Sequence, residues 1–197
     1  QLLTKSAEDF IWAANALFGM GYGEVNLNLG CPSGTVTAKG KGAGFLRDPE
    51  ALDRFLDAVF SACTGAVSVK TRLGMQDPAE FAPLLDIYNR YPIAELTIHP
   101  RVRQDFYRGQ VREADFAAAL PRCRMPVCYN GDIVSEAGVQ AVGERYPAVQ
   151  AVMIGRGLIA DPSLVTRLTG GARADKKTLE AFHNALYERY CLSLIHI

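Results

Sequence analysis

Short runs of apolar residues, some alternating with polar ones, recur along the chain, and each is followed by a loop and an amphipathic stretch. The runs are rich in Val, Ile, Leu and Thr, which favours strands, and their regular spacing is typical of successive βα units. This pattern predicts six strands, at 1–3, 24–29, 66–71, 94–99, 126–131 and 151–156.

Three Asp-Pro pairs predict helix starts, at 48–49, 77–78 and 161–162. An Asp side chain caps the first turn, and proline suits the first helical position because its missing N–H would have no partner there. After the first pair, apolar residues follow the helical repeat along one face, which we expect to be buried. These residues are Leu52, Phe55, Leu56, Val59, Phe60 and Cys63, the last as a small core residue.

Polar residues lie at the carboxyl ends of the predicted strands: Asn28 and Cys31, Lys70 and Arg72, His99 and Arg101, Asn130 and Asp132, Gly155 and Arg156. Alternating βα units form either an open doubly wound sheet or a closed barrel. In a barrel all strand ends meet at one mouth, whereas in an open sheet only those at the switch point do. The sequence therefore favours an α/β fold, a (β/α)8 TIM-type barrel.

About six βα units are present, so the predicted barrel is incomplete, and we expect two further strands before Gln1. We assign residues 1–172 to the barrel and 173–197 to the start of a C-terminal helical domain. The final run CLSLIHI has no helix stop signal and is interpreted as a truncated helix or an added tail.

Charge and cysteine content narrow the function. The chain has 21 basic and 21 acidic residues, so a polyanionic partner must be met by a local patch. Five cysteines without a CxxC spacing argue against a disulfide framework and a zinc site, and no other metal-ligand spacing is present. No long apolar run or signal peptide is seen, which predicts a cytoplasmic protein outside the membrane. The oligomeric state stays open.

Two glycine-containing segments, NGDI at 130–133 and IGRG at 154–157, predict a phosphate site. Their glycines let backbone N–H groups approach an anion, and Arg156 adds a charged donor. They follow the last two predicted strands, where barrels commonly bind phosphate.

The loop at 101–112 contains four arginines and one aspartate, with Phe106 and Tyr107 between the arginines. This composition predicts contacts with an RNA backbone, made by Arg101 and Arg103 among others, and Lys39 and Lys41 could add to it. The alternative is an ordinary solvated loop.

Five blocks of the chain resemble, in order and spacing, the tRNA-dihydrouridine synthases, flavoenzymes that reduce uridines in tRNA: NLNLGCPSGTVTAKGKGAGFLRDPE, VSVKTRLG, LTIHPRVRQDFYRG, VCYNGDI and VMIGRGLIADP. The resemblance implies FMN as cofactor, NADPH or NADH as reductant and tRNA as substrate. One departure is that the family's first strand, with an apolar-Pro-Met stretch lining the flavin, has no counterpart here.

The resemblance also implies roles for individual residues. Cys31 would be the catalytic acid, with Asn28 near the uracil, and Arg72 and Tyr107 would face the uracil. The flavin ring or ribityl chain would be met by Gln1, Lys70 and His99. The ribityl phosphate would be surrounded by Asn130, Gly131, Asp132, Gly155 and Arg156.

A thiol at the end of a strand suits this chemistry. The C4 carbonyl polarises the C5=C6 bond of uracil, so hydride from flavin N5 adds at C6 and a proton must be supplied at C5, and a thiol is mostly protonated at neutral pH. Two alternatives stay open: an FMN-barrel dehydrogenase that acts on a free pyrimidine, and a non-catalytic tRNA-binding derivative.

Overall fold

The computed structural model describes the backbone of residues 1–194 and the side chains up to Cys191. The tail predicted at 191–197 therefore lies partly outside the described residues. Within the described part the chain forms five strands: β1 Glu24–Leu29, β2 Ala66–Arg72, β3 Leu96–His99, β4 Val127–Tyr129 and β5 Ala151–Val152. Where a strand is predicted at 1–3, the structure has an isolated parallel bridge between Leu2 and Leu27.

The helices of the described part are α1 Ala7–Gly19, α2 Gly34–Ala38, α3 Pro49–Ala62, α4 Phe81–Tyr88, α5 Glu113–Ala119, α6 Glu136–Arg145, α7 Arg156–Ala160, α8 Leu164–Leu168 and α9 Lys176–Leu194. Short 3₁₀ turns cover Gly42–Arg47, Pro78–Glu80, Arg103–Asp105 and Leu120–Arg122. None of these described helices is both long enough and apolar enough to cross a membrane.

The five strands are parallel and stand side by side in chain order, β1-β2-β3-β4-β5. A doubly wound sheet reverses its strand order at a switch point, whereas a barrel never does. The observed order is the one that the barrel prediction requires. β5 ends at Val152, not at the predicted 156, because the chain leaves the sheet there and α7 begins at Arg156.

The two faces of the sheet differ in polarity. In β1, Val25, Leu27 and Leu29 are buried, while Asn26 and Asn28, which point the other way, are half-buried. On the apolar side, the ring of Phe55 in α3 meets the rings of Phe10 and Phe45 edge to face, with centroids 5.9 and 5.3 Å apart. The helices therefore cover the apolar face.

The predicted start and buried face of α3 are present. The Asp48 side chain accepts from the backbone N–H of Ala51 at 2.9 Å, and the buried residues of α3 are Leu52, Phe55, Leu56 and Val59. Cys63 caps the C-terminal end and is half-buried, less than predicted, and burial raises its pKa.

The two other Asp-Pro pairs differ from each other. Asp77 caps the 3₁₀ turn Pro78–Glu80 in a reciprocal capping box with Glu80. Asp161 instead accepts from the backbone N–H and the hydroxyl of Ser163, at 3.0 and 2.6 Å. That local turn delays the helix start, so α8 begins at Leu164 and not at the predicted Pro162.

The chain forms two compact units. The first comprises Gln1–Gly131 and Val142–Met153, and the second comprises Asp132–Ala141 and the described residues from Ile154 onward. In the second unit Arg167 pairs with Asp161 at 2.8 Å and with Glu136 at 3.4 Å. The boundary expected at 172 falls inside the second unit and stays a prediction.

Candidate active site

The register of the sheet lines up the polar side chains of the first unit. Asn28 of β1 is opposite Lys70 of β2, which is opposite Thr97 of β3, and two residues further along Arg72 is opposite His99. Residues that are opposite in neighbouring parallel strands share a face. The carboxyl ends of β1, β2 and β3 therefore bring together Asn28, Lys70, Arg72 and His99, four of the predicted site residues.

Cys31 stands on a tightly bonded turn after β1. Asn28 Oδ1 accepts from the backbone N–H groups of Gly30 and Cys31, both at 3.0 Å, and the Cys31 carbonyl accepts from the N–H of Ala43 at 3.0 Å. The thiol-bearing residue is half-buried and in no disulfide. The turn fixes the backbone of Cys31, and the residue stays partly exposed.

Gly42 and Gly44 allow the segment that contains them to pack closely against Cys31 and α2. Gly42 has a φ of +56°, and a Cβ there would lie 2.9 Å from the Cβ of Cys31, while a Cβ on Gly44 would lie 2.5 Å from the carbonyl oxygen of Thr37. Only glycine fits such close approaches. Sequence reasoning gave no role to these two glycines, although the spacing in KGAG was the available signal.

Lys70 is half-buried next to this turn. Its Nζ lies 3.7 Å from the place that a Cβ on Gly30 would take. Burial, and secondarily the charge of Arg72, lower the pKa of the Lys70 ammonium from 10.5 to about 8. The site therefore holds a cation that an anionic or electron-rich ligand would stabilise.

Arg72 ties together the loops that follow β1 and β3. Its side chain is 1% exposed, Nε donates to the carbonyl of Gly30 at 2.8 Å, and Nη1 donates to the carbonyl of Val102 at 3.1 Å. The guanidinium carbon lies 5.4 Å from the centroid of the Tyr107 ring. Burial lowers the pKa of Arg72. The two predicted uracil-facing residues are thus in contact with each other.

The arginine loop is held largely by its own arginines. Arg101 is fully buried, with Nη1 at 3.1 Å from His99 Nε2 and Nη2 donating to the carbonyl of Gly109 at 2.5 Å. Arg112 pairs with Asp105 at 3.1 Å. The guanidinium of Arg101 therefore bonds to the end of β3 and to the loop itself, and the expected contact of Arg101 with RNA stays a prediction.

Arg103 and the tip of the loop are more open. The guanidinium of Arg103 lies 4.8 Å from the Phe106 ring centroid and donates to the Thr37 hydroxyl at 3.2 Å. An open depression of about 730 Å³ is lined by residues 104–109. Arg103 therefore connects this loop to α2, which lies between Cys31 and the glycine-rich segment.

Gln1 lies beside Asn28. Its Oε1 accepts from Asn28 Nδ2 at 2.9 Å, and its Nε2 donates to Asn26 Oδ1 at 2.7 Å. The predicted flavin contact of Gln1 remains a prediction.

The five predicted phosphate residues are divided between the two units. In the first unit, Asn130 donates its side-chain N–H to the carbonyl of Met153 at 2.8 Å, and Gly131 follows it. In the second unit, Arg156 pairs with Asp132 at 2.6 Å. A Cβ on Gly155 would meet nothing within 4 Å, whereas one on Gly157 would overlap the carbonyl oxygen of Ile133. A single phosphate site made by all five stays a prediction.

No group of three or more His, Cys, Asp and Glu side chains suited to a metal ion occurs in the part of the chain that the structure describes.

The fold resembles that of known barrel enzymes. The old yellow enzyme from Trypanosoma cruzi superposes with a TM-score of 0.57 at 18% identity, over 87% of this chain and 50% of that one. A dihydrodipicolinate synthase superposes with a TM-score of 0.57 at 14% identity, over 83% and 54% of the two chains. At this identity the likeness concerns the fold alone. It confirms the prediction of an incomplete (β/α)8 barrel.

Sequence comparison identifies the family. The family model described as dihydrouridine synthase matches residues 1–192, so the chain belongs to the dihydrouridine synthase family. A probable tRNA-dihydrouridine synthase of Rhodobacter capsulatus is 30% identical, over 90% of this chain and 55% of the relative. For the probable tRNA-dihydrouridine synthase 1 of Synechocystis the identity is 35%, over 78% and 43%. The chain thus spans about half the length of these curated relatives.

Proposed function

We propose that the protein reduces uridine to 5,6-dihydrouridine in tRNA, in the cytoplasm, with FMN as bound cofactor and NADPH or NADH as reductant. The observation that carries this proposal is the fixed turn of Cys31, which stands at the carboxyl ends of the strands beside Lys70 in a chain of the dihydrouridine synthase family. The names of the relatives support tRNA as the substrate.

The donor set of the polar face fits a flavin. The Lys70 cation is destabilised by burial, as its lowered pKa of about 8 indicates, and an electron-rich ring or an anion beside it would offset that cost. Lys70, His99 and Gln1 would hold the ring or the ribityl chain, and Asn130, Gly131, Asp132, Gly155 and Arg156 are proposed for the phosphate. When bound, the flavin supplies the hydride that is added at C6.

Cys31 is the proposed general acid. Its Sγ holds a proton and gives it to C5 of the uracil, so that one hydride and one proton together saturate the C5=C6 bond. The backbone N–H groups of Gly30 and Cys31 donate to Asn28 Oδ1 and so fix the backbone of the turn that carries the thiol. Arg72 and Tyr107, in contact with each other, form the proposed side of the uracil pocket.

A cluster of cations around α2 is the proposed contact for the tRNA backbone. Arg47 and Arg103 bond to the carbonyl and the hydroxyl of Thr37, at 3.4 and 3.2 Å, and Lys5 approaches Gly40, with Lys39 and Lys41 on either side. Two residues after Lys41, the backbone N–H of Ala43 donates to the carbonyl of Cys31, so Lys39 and Lys41 of this cluster lie on the chain segment that is bonded to the Cys31 turn. Phosphates that flank a flipped-out uridine at Cys31 would meet these side chains.

The test is a turnover assay with the full-length protein. Unmodified tRNA, FMN and NADPH are incubated with the protein, and digested nucleosides are weighed by mass spectrometry. We expect one or more uridines to gain two hydrogens, and we expect Cys31→Ala, but not Cys63→Ala, to slow this gain by about 10²- to 10⁴-fold. Reduction of free uracil or orotate with no reduction of tRNA would instead favour the free-pyrimidine dehydrogenase. Binding of tRNA without flavin or reduction would favour the non-catalytic derivative.

A further inference from the structure

Five side chains on the polar face form one continuous hydrogen-bonded chain that ends at the turn of Cys31. Asn28 accepts from the turn and donates to Gln1, Gln1 donates to Asn26, Asn26 donates to the hydroxyl of Ser68 at 2.9 Å, and Ser68 donates to the carboxylate of Glu24. We refer to Glu24, Ser68, Asn26, Gln1 and Asn28 as the amide chain.

The direction of every bond in the amide chain is fixed from both ends. At one end a carboxylate can only accept, so Ser68 must donate to Glu24 and therefore accept from Asn26. At the other end the backbone N–H groups of Gly30 and Cys31 can only donate, so Asn28 must present Oδ1 to them. Each amide between the ends must then donate toward Glu24 and accept from the side of Asn28. The two ends of the amide chain require this same direction of donation.

We propose that Glu24 is a positioning residue for the Cys31 turn, acting through Ser68, Asn26, Gln1 and Asn28 by fixing the direction of their hydrogen bonds. The functional meaning of this inference rests on the proposed role of Cys31 as the acid. Glu24 and Asn28 do not bond to each other, so any energetic coupling between them must pass along the chain or through space.

The proposal makes an unusual prediction for Asn28→Asp. The new carboxylate still accepts from Gly30 and Cys31, but its second oxygen faces Gln1 Oε1, so Gln1, Asn26 and Ser68 must all reverse. Ser68 would then donate its only hydroxyl hydrogen to Asn26. The carboxylate of Glu24 would face the lone pairs of the Ser68 oxygen, with no donor to bond to. Two acceptor-only ends are incompatible, whereas Glu24→Gln supplies an N–H that completes the reversed chain.

The experiment is a double-mutant cycle measured by urea unfolding of the full chain without cofactor. We expect Glu24→Gln to change the folding equilibrium constant of the parent by less than about twofold, and to raise that of Asn28→Asp by about five- to tenfold. The charge that Asp brings near Lys70 is present in both Asn28→Asp proteins and cancels in the comparison. With flavin and tRNA, the kcat for uridine reduction should likewise be higher in the double variant than in Asn28→Asp.

Ser68→Ala is the matched control, because it breaks the amide chain and leaves the charges at positions 24 and 28 in place. In that background the rescue by Glu24→Gln should disappear. An equal effect of Glu24→Gln in the parent and in Asn28→Asp would overturn the proposal, and so would a rescue that persists with Ser68→Ala, since that would be repulsion through space. The unfolding cycle needs neither flavin nor tRNA, so an intact cycle in a protein that does not reduce uridine would refute the proposed function alone.

Discussion

The apolar and polar faces of the sheet are made by alternate residues of the same strands, yet the two faces differ in burial and in the way their polar groups are bonded. Leu27 and Val69 point toward the helices and are fully buried, while their neighbours Asn28 and Lys70 point the other way and are half-buried. Where a polar group does lie on the helix side, it is satisfied locally, as when the hydroxyls of Thr71 and Tyr88 bond at 3.1 Å.

On the polar face a series of side-chain hydrogen bonds joins residues that are far apart in the sequence and ends at the Cys31 turn. Lys70, on the same face, carries a positive charge that burial disfavours. Burial of apolar surface makes the helix-covered face the main source of stability. The polar face contributes less to the free energy of unfolding, because it holds a buried ammonium group and hydrogen-bonding side chains in place of apolar ones. Substitutions on the two faces should therefore separate loss of stability from loss of activity.

The largest expected effect on stability comes from Leu27→Ala on the apolar face. Leu27 is fully buried at the centre of β1, so the cavity should lower the free energy of unfolding by about 2 to 5 kcal/mol. Urea unfolding measures it. Asn28→Ala, the adjacent residue on the polar face, serves as the control and should cost about 1 to 2 kcal/mol. Equal losses at the two positions would contradict the division between the faces.

Lys70→Met should stabilise the cofactor-free protein at neutral pH. The folded state holds Lys70 with a pKa of about 8 against 10.5, so between these values the unfolded chain binds more protons. The free energy of unfolding of the parent should therefore rise with pH across that window. The variant should gain about 3 kcal/mol below pH 8, and the gain should vanish above pH 10.5. Urea unfolding at several pH values tests this, and a gain that does not depend on pH would argue against a buried cation.

Arg72→Met should raise the pKa of Lys70, by less than the amount by which burial lowers it. The charge of Arg72 is the second cause, after burial, of the lowered pKa. Reductive methylation of lysines with labelled formaldehyde, followed by NMR titration, reports the pKa of Lys70. Arg54→Met is the control, because Arg54 is exposed and pairs with Glu50 at 3.9 Å on the helix side. An unchanged pKa of Lys70 in Arg72→Met would mean that burial alone lowers it.

Local patterns predicted the parts of the fold that local forces determine. The alternation in 24–29 gave β1 with its bounds, and the helical repeat after Asp48 gave the buried face of α3. The end of β5 and the start of α8 were mispredicted, because a turn at Asp161 and an early exit from the sheet compete with strand and helix signals of similar strength.

The candidate site was predictable to the extent that strand ends reveal it. The register brings Asn28, Lys70, Arg72 and His99 together as expected. The burial of Arg101 could not be predicted, because the partners of its guanidinium include the carbonyl of Gly109 and the ring of His99, and neither gives a charge signal in the sequence. The amide chain also was not predicted, since it joins three separate segments of the sequence and four of its five side chains are neutral.

The central claim is that Cys31, on the turn after β1, provides the proton and little stability. Its most direct test is anaerobic stopped-flow absorbance of Cys31→Ala in the full-length protein. After reduction by NADPH, unmodified tRNA is added and reoxidation of the flavin is followed, with urea unfolding measured in parallel. We expect reoxidation to slow by about 10²- to 10⁴-fold, with flavin reduction and unfolding nearly unchanged, while Cys63→Ala keeps the parent rate. Reoxidation of Cys31→Ala at the parent rate would show that another group protonates C5.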